Sequence, residues 1–588
     1  MKSYNSIFLL LVLSSCSKLF DKTPGDRFTP AEAFSTEENI QLYVNGFYSQ
    51  LVPSAEEIYG LQGNLYFGDA MSDIAAIRDV PPYLHGVYSS NQAVGWDWGA
   101  LRNINYFLEN LSSANISDAR KLHFEGVGRF FRAWFYYKKV KMFGDVPWYD
   151  TPLSPTDETL YKARDPRSVV MDLVLQDINF ACDHISDIKD NTSSTITKWV
   201  ALALKSRICL FEGTYRRYHD ELGLTASVDQ WLNEAADAAG KVMQSGSYSL
   251  NSSDNPKADY RALFVSENPV STEVILASVY NANLRKWHTA NWAFTSASLG
   301  PKLSLVKPFI NTYLNLDGSR FTDNPSFQTT GFAEEVKNRD HRLSQTIRLG
   351  DYIRSENTLS PPDFNYTYTG YHFKKYTTEE RRLDFVGENA NSIPVFRYAE
   401  ILLNYAEAKA ELGQFSASDW STTIAALRTR AGIQNVDFPM DVDKYLQENF
   451  FPEINSAVLL EIRRERGIEL VGEGLRYDDL KRWKKGELLE RTYEGIYISE
   501  LNTLVDLNED GAPDVSFVNS LPATQVPGVV YYIIDNDIVK LSDGTKGNLL
   551  WRANIEKKYP DYKYLAPIPF NELVMNKNLE QNEGWDKP

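Results

Sequence analysis

Cysteine is almost missing from this chain: its 588 residues hold three, at positions 16, 182 and 209. Such a count gives neither a disulfide framework nor a zinc-ligand spacing. Histidine is scarce too. His85, His123, His184, His219, His288, His341 and His372 form no HExxH or other metal-ligand pattern. No G-x-S-x-G elbow is present, and no glycine-rich phosphate loop precedes a helix. Asp and Glu are abundant, and nothing in their spacing nominates an acid/base pair. The chain therefore reads as a non-enzyme. Basic excess is also absent. A net charge of −17 leaves nothing to neutralise phosphates, which excludes DNA or RNA as a partner. Long apolar runs are lacking as well: Ile7–Leu13 (IFLLLVL) is too short to span a bilayer.

What is present starts at that run. Lys2, the apolar stretch and Leu13-Ser14-Ser15-Cys16 read as a signal peptide over 1–15 ending in a lipobox, with Cys16 the lipidated first mature residue. Several acyl chains on one residue make a stable membrane anchor. The acidic run that would follow such a cysteine is absent, since Ser17, Lys18, Leu19 and Phe20 precede Asp21. Cys182 and Cys209 lie in apolar helical contexts and are expected as buried free thiols. Aromatics reach 13%, with 34 Tyr and 12 Trp. Such residues suit surfaces offering a flat apolar face with a polar edge. A chain of this length needs more than one small core or an extended scaffold.

Helical periodicity dominates. Thr29-Pro30-Ala31-Glu32 forms a capping box with proline at the first helical position. Helices are predicted around 37–52, 97–111, 118–143, 166–187 and 196–218, and a second capping box spans Ser227–Gln230. Val127, Phe130, Phe131, Trp134, Phe135 and Tyr137 cover more than half of the 118–143 helix, so it is expected to be buried between neighbours. Gly144 and Pro147 end it. Residues 250–395 and 490–560 break the pattern. Within the first of them, Tyr366, Tyr368, Tyr371, Phe373 and Tyr376 begin with the alternation of a half-exposed strand.

The most informative stretch is LLEIRRERGIELVGEGLRYDDLKRWK, Leu459–Lys484. Leu459, Ile462, Arg466 and Leu470 share a helix face, while arginines and carboxylates crowd the flanks. Bidentate pairing among them would lock two helices in one geometry, a structural network and not a catalytic site. ERGIELVGEGLRYDDLKRW resembles the signature helix pair of the SusD/RagB family of Bacteroidetes outer-membrane nutrient-binding lipoproteins. GRFFRAWFYYKKVKMFGDVPWY (128–149), FRYAEILLNYAEAKAELG (396–413) with LRTRAG (427–432), and YLAPIPFNELVMNKNLEQNEGW (564–585) resemble further family segments, in the family's order.

The resemblance implies a mostly α fold. Its core is a tetratricopeptide-like helical-hairpin superhelix with long loops and minor β hairpins. A helical region over 16–250 and a second over 251–588 are expected to pack as one globular unit. It also implies a lipid-anchored binder at the cell outer membrane, facing outside, that captures oligosaccharide. The binder passes it to a SusC-like TonB-dependent transporter and uses no required cofactor. Peptide import of the RagB type is the alternative, and a glycoside hydrolase a more distant one.

Two aromatic and polar groups are candidate ligand contacts, because ring faces cover the C–H face of a pyranose and polar groups take its hydroxyls. The first runs from Tyr66 through Asp69, Asp73, Arg78, Tyr83 and Tyr88 to Trp96 and Trp98. The second is Trp287, His288, Asn291, Trp292 and Phe294. From the first group, Tyr66, Asp73, Arg78, Trp96 and Trp98 are nominated, and from the second Trp287, Asn291 and Trp292. One of Trp96 and Trp98 is also expected to begin the helix that follows. Asp506, Asn508, Asp510 and Asp514, around Gly511, match the opening of a calcium loop or, equally, a solvated Asx turn. The bidentate glutamate of a full EF-hand is missing, since Phe517 stands there.

Overall fold

A computed structural model describes residues 33–55, 65–86, 88–295 and 300–586. The Cys16 lipobox and the Thr29–Glu32 capping box lie outside the described residues. The scaffold is helical: α1 Glu37–Leu51, α2 Gly99–Leu111, α3 Asp118–Phe143, α4 Arg167–His184, α5 Lys198–Tyr218 and α6 Val228–Gln244. After a short helix α7, Ala290–Thr295, come α8 Tyr398–Glu411, α9 Ala457–Glu469 and α10 Arg476–Arg482. Neighbours pair as antiparallel hairpins would: α2 with α3, α3 with α4, and α5 with α6. α8 then joins the stack against α6 and α9.

The reasons are local. The Ser117 side chain accepts the Arg120 N–H to start α3, and Gly144, at φ 76°, ends it where only glycine sits without strain. Between these caps Phe130, Phe131, Trp134, Phe135 and Tyr137 are all buried, each contributing about 1.5–3 kcal/mol of apolar burial. From Phe124 to Phe143 no residue of the helix is exposed, as its sequence predicts. α5 approaches α6 closely at Gly213, where an added Cβ would stand 2.9 Å from the Leu232 side chain. Cys182 and Cys209 are buried free thiols, and burial pushes Cys182 up to about 12.

The expected capping box at Ser227–Gln230 does not form. The Ser227 hydroxyl donates to the Leu224 carbonyl and accepts from Arg216 Nη1 at 2.7 Å, so it has no free lone pair aimed at α6. The strand expected from Tyr366 onward is also absent. The Thr369 hydroxyl donates to the Leu305 carbonyl and the Ser304 hydroxyl takes the Tyr368 N–H. Side chains thus satisfy groups that a ladder would have used. Tyr368, Tyr371, Phe373 and Tyr376 are buried.

The β structure is small and, apart from β1 and the end of β6, lies in the two segments that break the helical pattern. β1 (Ala75–Ala76) pairs antiparallel with β3 (Ser304–Leu305), and β2 (Val274–Ser278) with β6 (Ile393–Arg397). A tight hairpin joins β4 (Ile353–Arg354) and β5 (Thr358–Leu359). Near the end, β7 (Tyr493–Ile498), β11 (Val539–Leu541) and β12 (Gly547–Trp551) form one sheet. β8 (Leu504–Val505), β9 (Val515–Val518) and β10 (Val530–Ile533) form another.

The boundary near residue 250 does not separate two cores. Residues 70–84 belong to the cluster built mainly from the second half, around Phe309, Phe373 and Trp483. Ala566, Ile568, Leu573 and Leu579 close the first-half core around Phe131 and Trp134.

α9 is buried all round, and its charges are the reason it can be. Glu461, Glu465 and Glu469 stand four residues apart on one face. Glu461 meets Arg428 at 2.5 Å and Arg464 at 3.0 Å. Glu465 meets Arg342 at 2.5 Å and Arg428 at 3.0 Å. Glu469 meets Arg430 at 2.5 Å, Arg397 at 2.6 Å and Arg342 at 2.8 Å. On its other side Arg466 reaches Asp479 of α10 at 2.8 Å, and Arg482 of α10 reaches Glu407 of α8 at 2.5 Å. The crowded charges thus form a structural network that fixes α8, α9 and α10 against one another.

Candidate functional site

The early nominated segment meets the chain a few residues past the nominated Trp287–Phe294 group. β1 to β3 pairing lays the early loop beside the mid-chain one, and Arg78, two residues past β1, donates from Nη2 to the Gly300 carbonyl at 3.2 Å. Its Nε lies 3.4 Å from the Tyr368 hydroxyl. The Tyr368 ring stacks on Trp551 at 4.2 Å, and Trp551 donates to the Ile77 carbonyl at 2.8 Å. Lys302 belongs to the same neighbourhood. Burial and the Arg78 charge lower its pKa, and Asp363 opposes them.

Beyond Asp363 opens a polar cleft of about 320 Å³, walled by the β4–β5 hairpin and lined by Arg348, Arg354, Asp363, Tyr366, Asp384 and Phe385. Phe385 is 81% exposed at its rim, and Tyr366 is half-buried. Arg354 grips Asp384 with both terminal nitrogens, at 2.5 and 2.7 Å. Two rings among forked cations, carboxylates and hydroxyls are what a sugar site requires.

Asn291 builds one wall of this cleft without facing it. The side chain is fully buried. Its Nδ2 donates to the Thr378 and Glu380 carbonyls and to Asp384 Oδ1. Its Oδ1 accepts from the Thr378 N–H at 2.8 Å and Asn389 Nδ2 at 2.9 Å. Asn291 is thus a clamp on the 378–385 segment. Asn291→Ala strands several buried partners, so it is expected to cost about 3 kcal/mol, read by urea denaturation.

Other nominations find different roles. Asp73 is buried in a bidentate pair with Arg476 at 2.7 and 2.8 Å, where it ties the early loop to α10 and cannot meet a ligand. Trp96 is buried edge-on to Phe143, at 4.9 Å. Trp98 takes the N-cap position of α2. Both line a separate, largely apolar cavity of about 380 Å³ with Tyr149 and Met575, which shares no residue with the polar cleft. Trp292 packs partly buried on the second-half core, and Trp287 is half-buried. The Tyr66 side chain lies outside the described residues. His288 is buried with Nε2 2.8 Å from the Asn391 carbonyl, and burial lowers it to about 4.

The 506–514 loop has the oxygen chemistry of a calcium site and a different arrangement. Asp506 accepts the N–H groups of Asn508 and Gly511, Asp510 that of Ala512, and Asp514 that of Leu507. These are nested Asx turns. Among the described residues no three His, Cys, Asp or Glu side chains are grouped to hold a metal.

Phe385, Arg348, Arg354 and Asp384 escaped the sequence reading. The signal for Phe385 was available: one aromatic in the charged run EERRLDFVGE has no apolar periodicity that would bury it.

Comparison with known proteins agrees with the architecture. The family model described as SusD family matches residues 272–585, more than half of the chain. A second, described as starch-binding and associating with the outer membrane, matches 62–210. No described helix is long and apolar enough to cross a membrane. A SusD-like protein of Formosa agariphila is 24% identical over 502 residues, covering 81% of this chain and 88% of the relative. Among solved structures, a SusD-like carbohydrate-binding protein of Bacteroides fragilis superposes with a TM-score of 0.70 at 20% identity, over 93% of this chain and all of that one. A laminarin-binding SusD-like protein gives 0.57 at 17% identity, over 94% of this chain and 100% of that one. With its signature helices locked by the buried charge network and the family match running across them, the chain belongs to the SusD family.

Proposed function

We propose that the protein is a non-catalytic glycan binder, held at the outer membrane by acyl chains on Cys16. It captures oligosaccharide for a SusC-like TonB-dependent transporter. The observation that carries this reading is the cleft in which Phe385 and Tyr366 flank Arg354, Asp363 and Asp384. A pyranose ring lays its C–H face on Phe385 while hydroxyls bridge to the carboxylates and guanidinium groups. The outer-membrane description of one matching family model and the carbohydrate-binding relatives support it. Tethering beside a transporter raises local concentration, so weak intrinsic affinity suffices.

Calorimetric titration with oligosaccharide pools tests it. Phe385→Ala is expected to weaken binding about tenfold, the loss of one buried apolar face, without moving the melting temperature. Binding of peptide pools in place of glycans would favour the peptide-import reading. Sustained product release from polysaccharide would sink the non-catalytic one. Recovery of a β-barrel with the tagged protein from membranes tests the partner, and acyl labelling tests Cys16.

A further inference from the structure

The polar cleft contains a buried cation that no carboxylate pairs directly. Arg348 is only 4% exposed, its Nε has no hydrogen-bond partner, and its side chain lines the cavity. Among the described residues no carboxylate lies within ion-pairing distance of it. Asp384 is engaged with Arg354 and Asn291, and Glu379 with Arg261; Asp363, also in the lining, accepts the Asn365 N–H and acts on Arg348 through space without pairing it. The Tyr352 ring lies 5.6 Å from the guanidinium carbon, and Lys374 shares that ring from 3.9 Å.

This contrasts with the rest of the fold. Arg342, Arg397, Arg430 and Arg482 are equally buried, and each holds a carboxylate within 2.8 Å. Arg339, without a close carboxylate, donates to the Glu335, Ile310 and Tyr313 carbonyls. A buried guanidinium left unpaired is costly, and Arg348 bears that cost in a cavity wall beside a second guanidinium and an exposed aromatic ring. The lining holds three arginines and three aspartates, so the cleft is balanced overall and what sets Arg348 apart is its missing direct partner. Burial and the Arg354 charge lower Arg348 to about 10, so it is still cationic at neutral pH.

We infer that the cleft selects an acidic glycan, one whose sugar carries a carboxylate or a sulfate ester, with that oxyanion seated on Arg348. The inference rests on the glycan-binding reading and names its substrate class. The oxyanion supplies the acceptor oxygens that the protein withholds, and the guanidinium fork matches two of them at once. The ring of the same residue, or of the next one, then lies on Phe385.

The test is calorimetric titration of the full chain with three oligosaccharide sets of equal length: oligogalacturonate, a sulfated galactan and neutral laminarin fragments. At least one acidic set is expected to bind tenfold or more tighter than the neutral set, with affinity falling as salt rises. Which acidic set prevails separates carboxylate from sulfate. Arg348→Gln is expected to lower the acidic affinity about tenfold to a hundredfold, the worth of a charge-assisted bond, to lower neutral affinity by less, and so to erase the acidic preference. Arg348→Lys keeps part of the preference. The Gln variant is expected to melt no lower than the parent. Equal binding of neutral and acidic sets, a preference that survives in Arg348→Gln, or a large drop in its melting temperature would each overturn the inference and leave glycan binding standing. Failure of all three sets to bind would overturn both.

Discussion

Glu469→Gln is expected to lower the unfolding free energy by about 3–5 kcal/mol, the range for breaking a buried charge pair. The carboxylate serves three guanidinium groups, so its loss is felt three times. Arg342 keeps Asp340 at 2.7 Å, and Arg397 keeps Glu473 at 2.7 Å. Arg430 keeps only Glu273 at 3.4 Å, which places the expected effect toward the upper end. Urea denaturation followed by tryptophan fluorescence reads it. Asp237→Asn, which breaks the exposed pair with Lys241, is the control and is expected to move stability by less than about 0.5 kcal/mol. A Glu469→Gln protein as stable as that control would mean the network holds nothing together.

Stability is also expected to fall steeply as pH drops from about 4.5 toward 2. Burial alone would raise Glu407 and Glu461. Against it, Arg482 beside Glu407, and Arg464 and Arg428 beside Glu461, bring both down to about 2, from an ordinary value of 4.5. A carboxylate with a depressed folded pKa contributes stability above its unfolded pKa and loses it as pH falls through the folded one. The two together supply roughly 3 kcal/mol apiece across that window. Asp69 acts in the opposite sense. Burial raises it to about 6, with the Gly472 N–H opposing, so its share is lost as pH rises from about 3.8 through 6. That softens the curve above pH 4 and leaves the acid limb below it. Denaturation midpoints at half-unit pH steps would show the limb, and a midpoint unchanged from pH 5 to 2.5 would refute it.

The sequence disclosed what is fixed locally. Gly144 ends α3 because a left-handed glycine acts within one turn. The four-residue spacing of Glu461, Glu465 and Glu469 shows a charged face whatever lies opposite. What stayed hidden depends on partners far away in the chain. Asp73 reads as a free carboxylate until Arg476 closes on it, and Asn291 as a surface amide until the 378–389 segment wraps it. Tyr366 to Tyr376 alternate like a strand, yet Ser304 and Leu305 compete for the same backbone and hydroxyl groups. The cleft itself was not visible: none of the nominated ligand contacts lines it, and Arg348 and Phe385 gain meaning only from burial and its absence.

The docking of Ala566, Ile568, Leu573 and Leu579 onto the first helices has a kinetic consequence. A core that needs those residues remains open until the last segment docks, however early α3 and α5 fold. Its closing contacts, such as Ala566 N–H to the Met142 carbonyl, join positions more than four hundred residues apart, and such long loops close late. The half-stack therefore presents its aromatic seam unsealed until the final segment arrives, and that interval is when a holding chaperone would bind it.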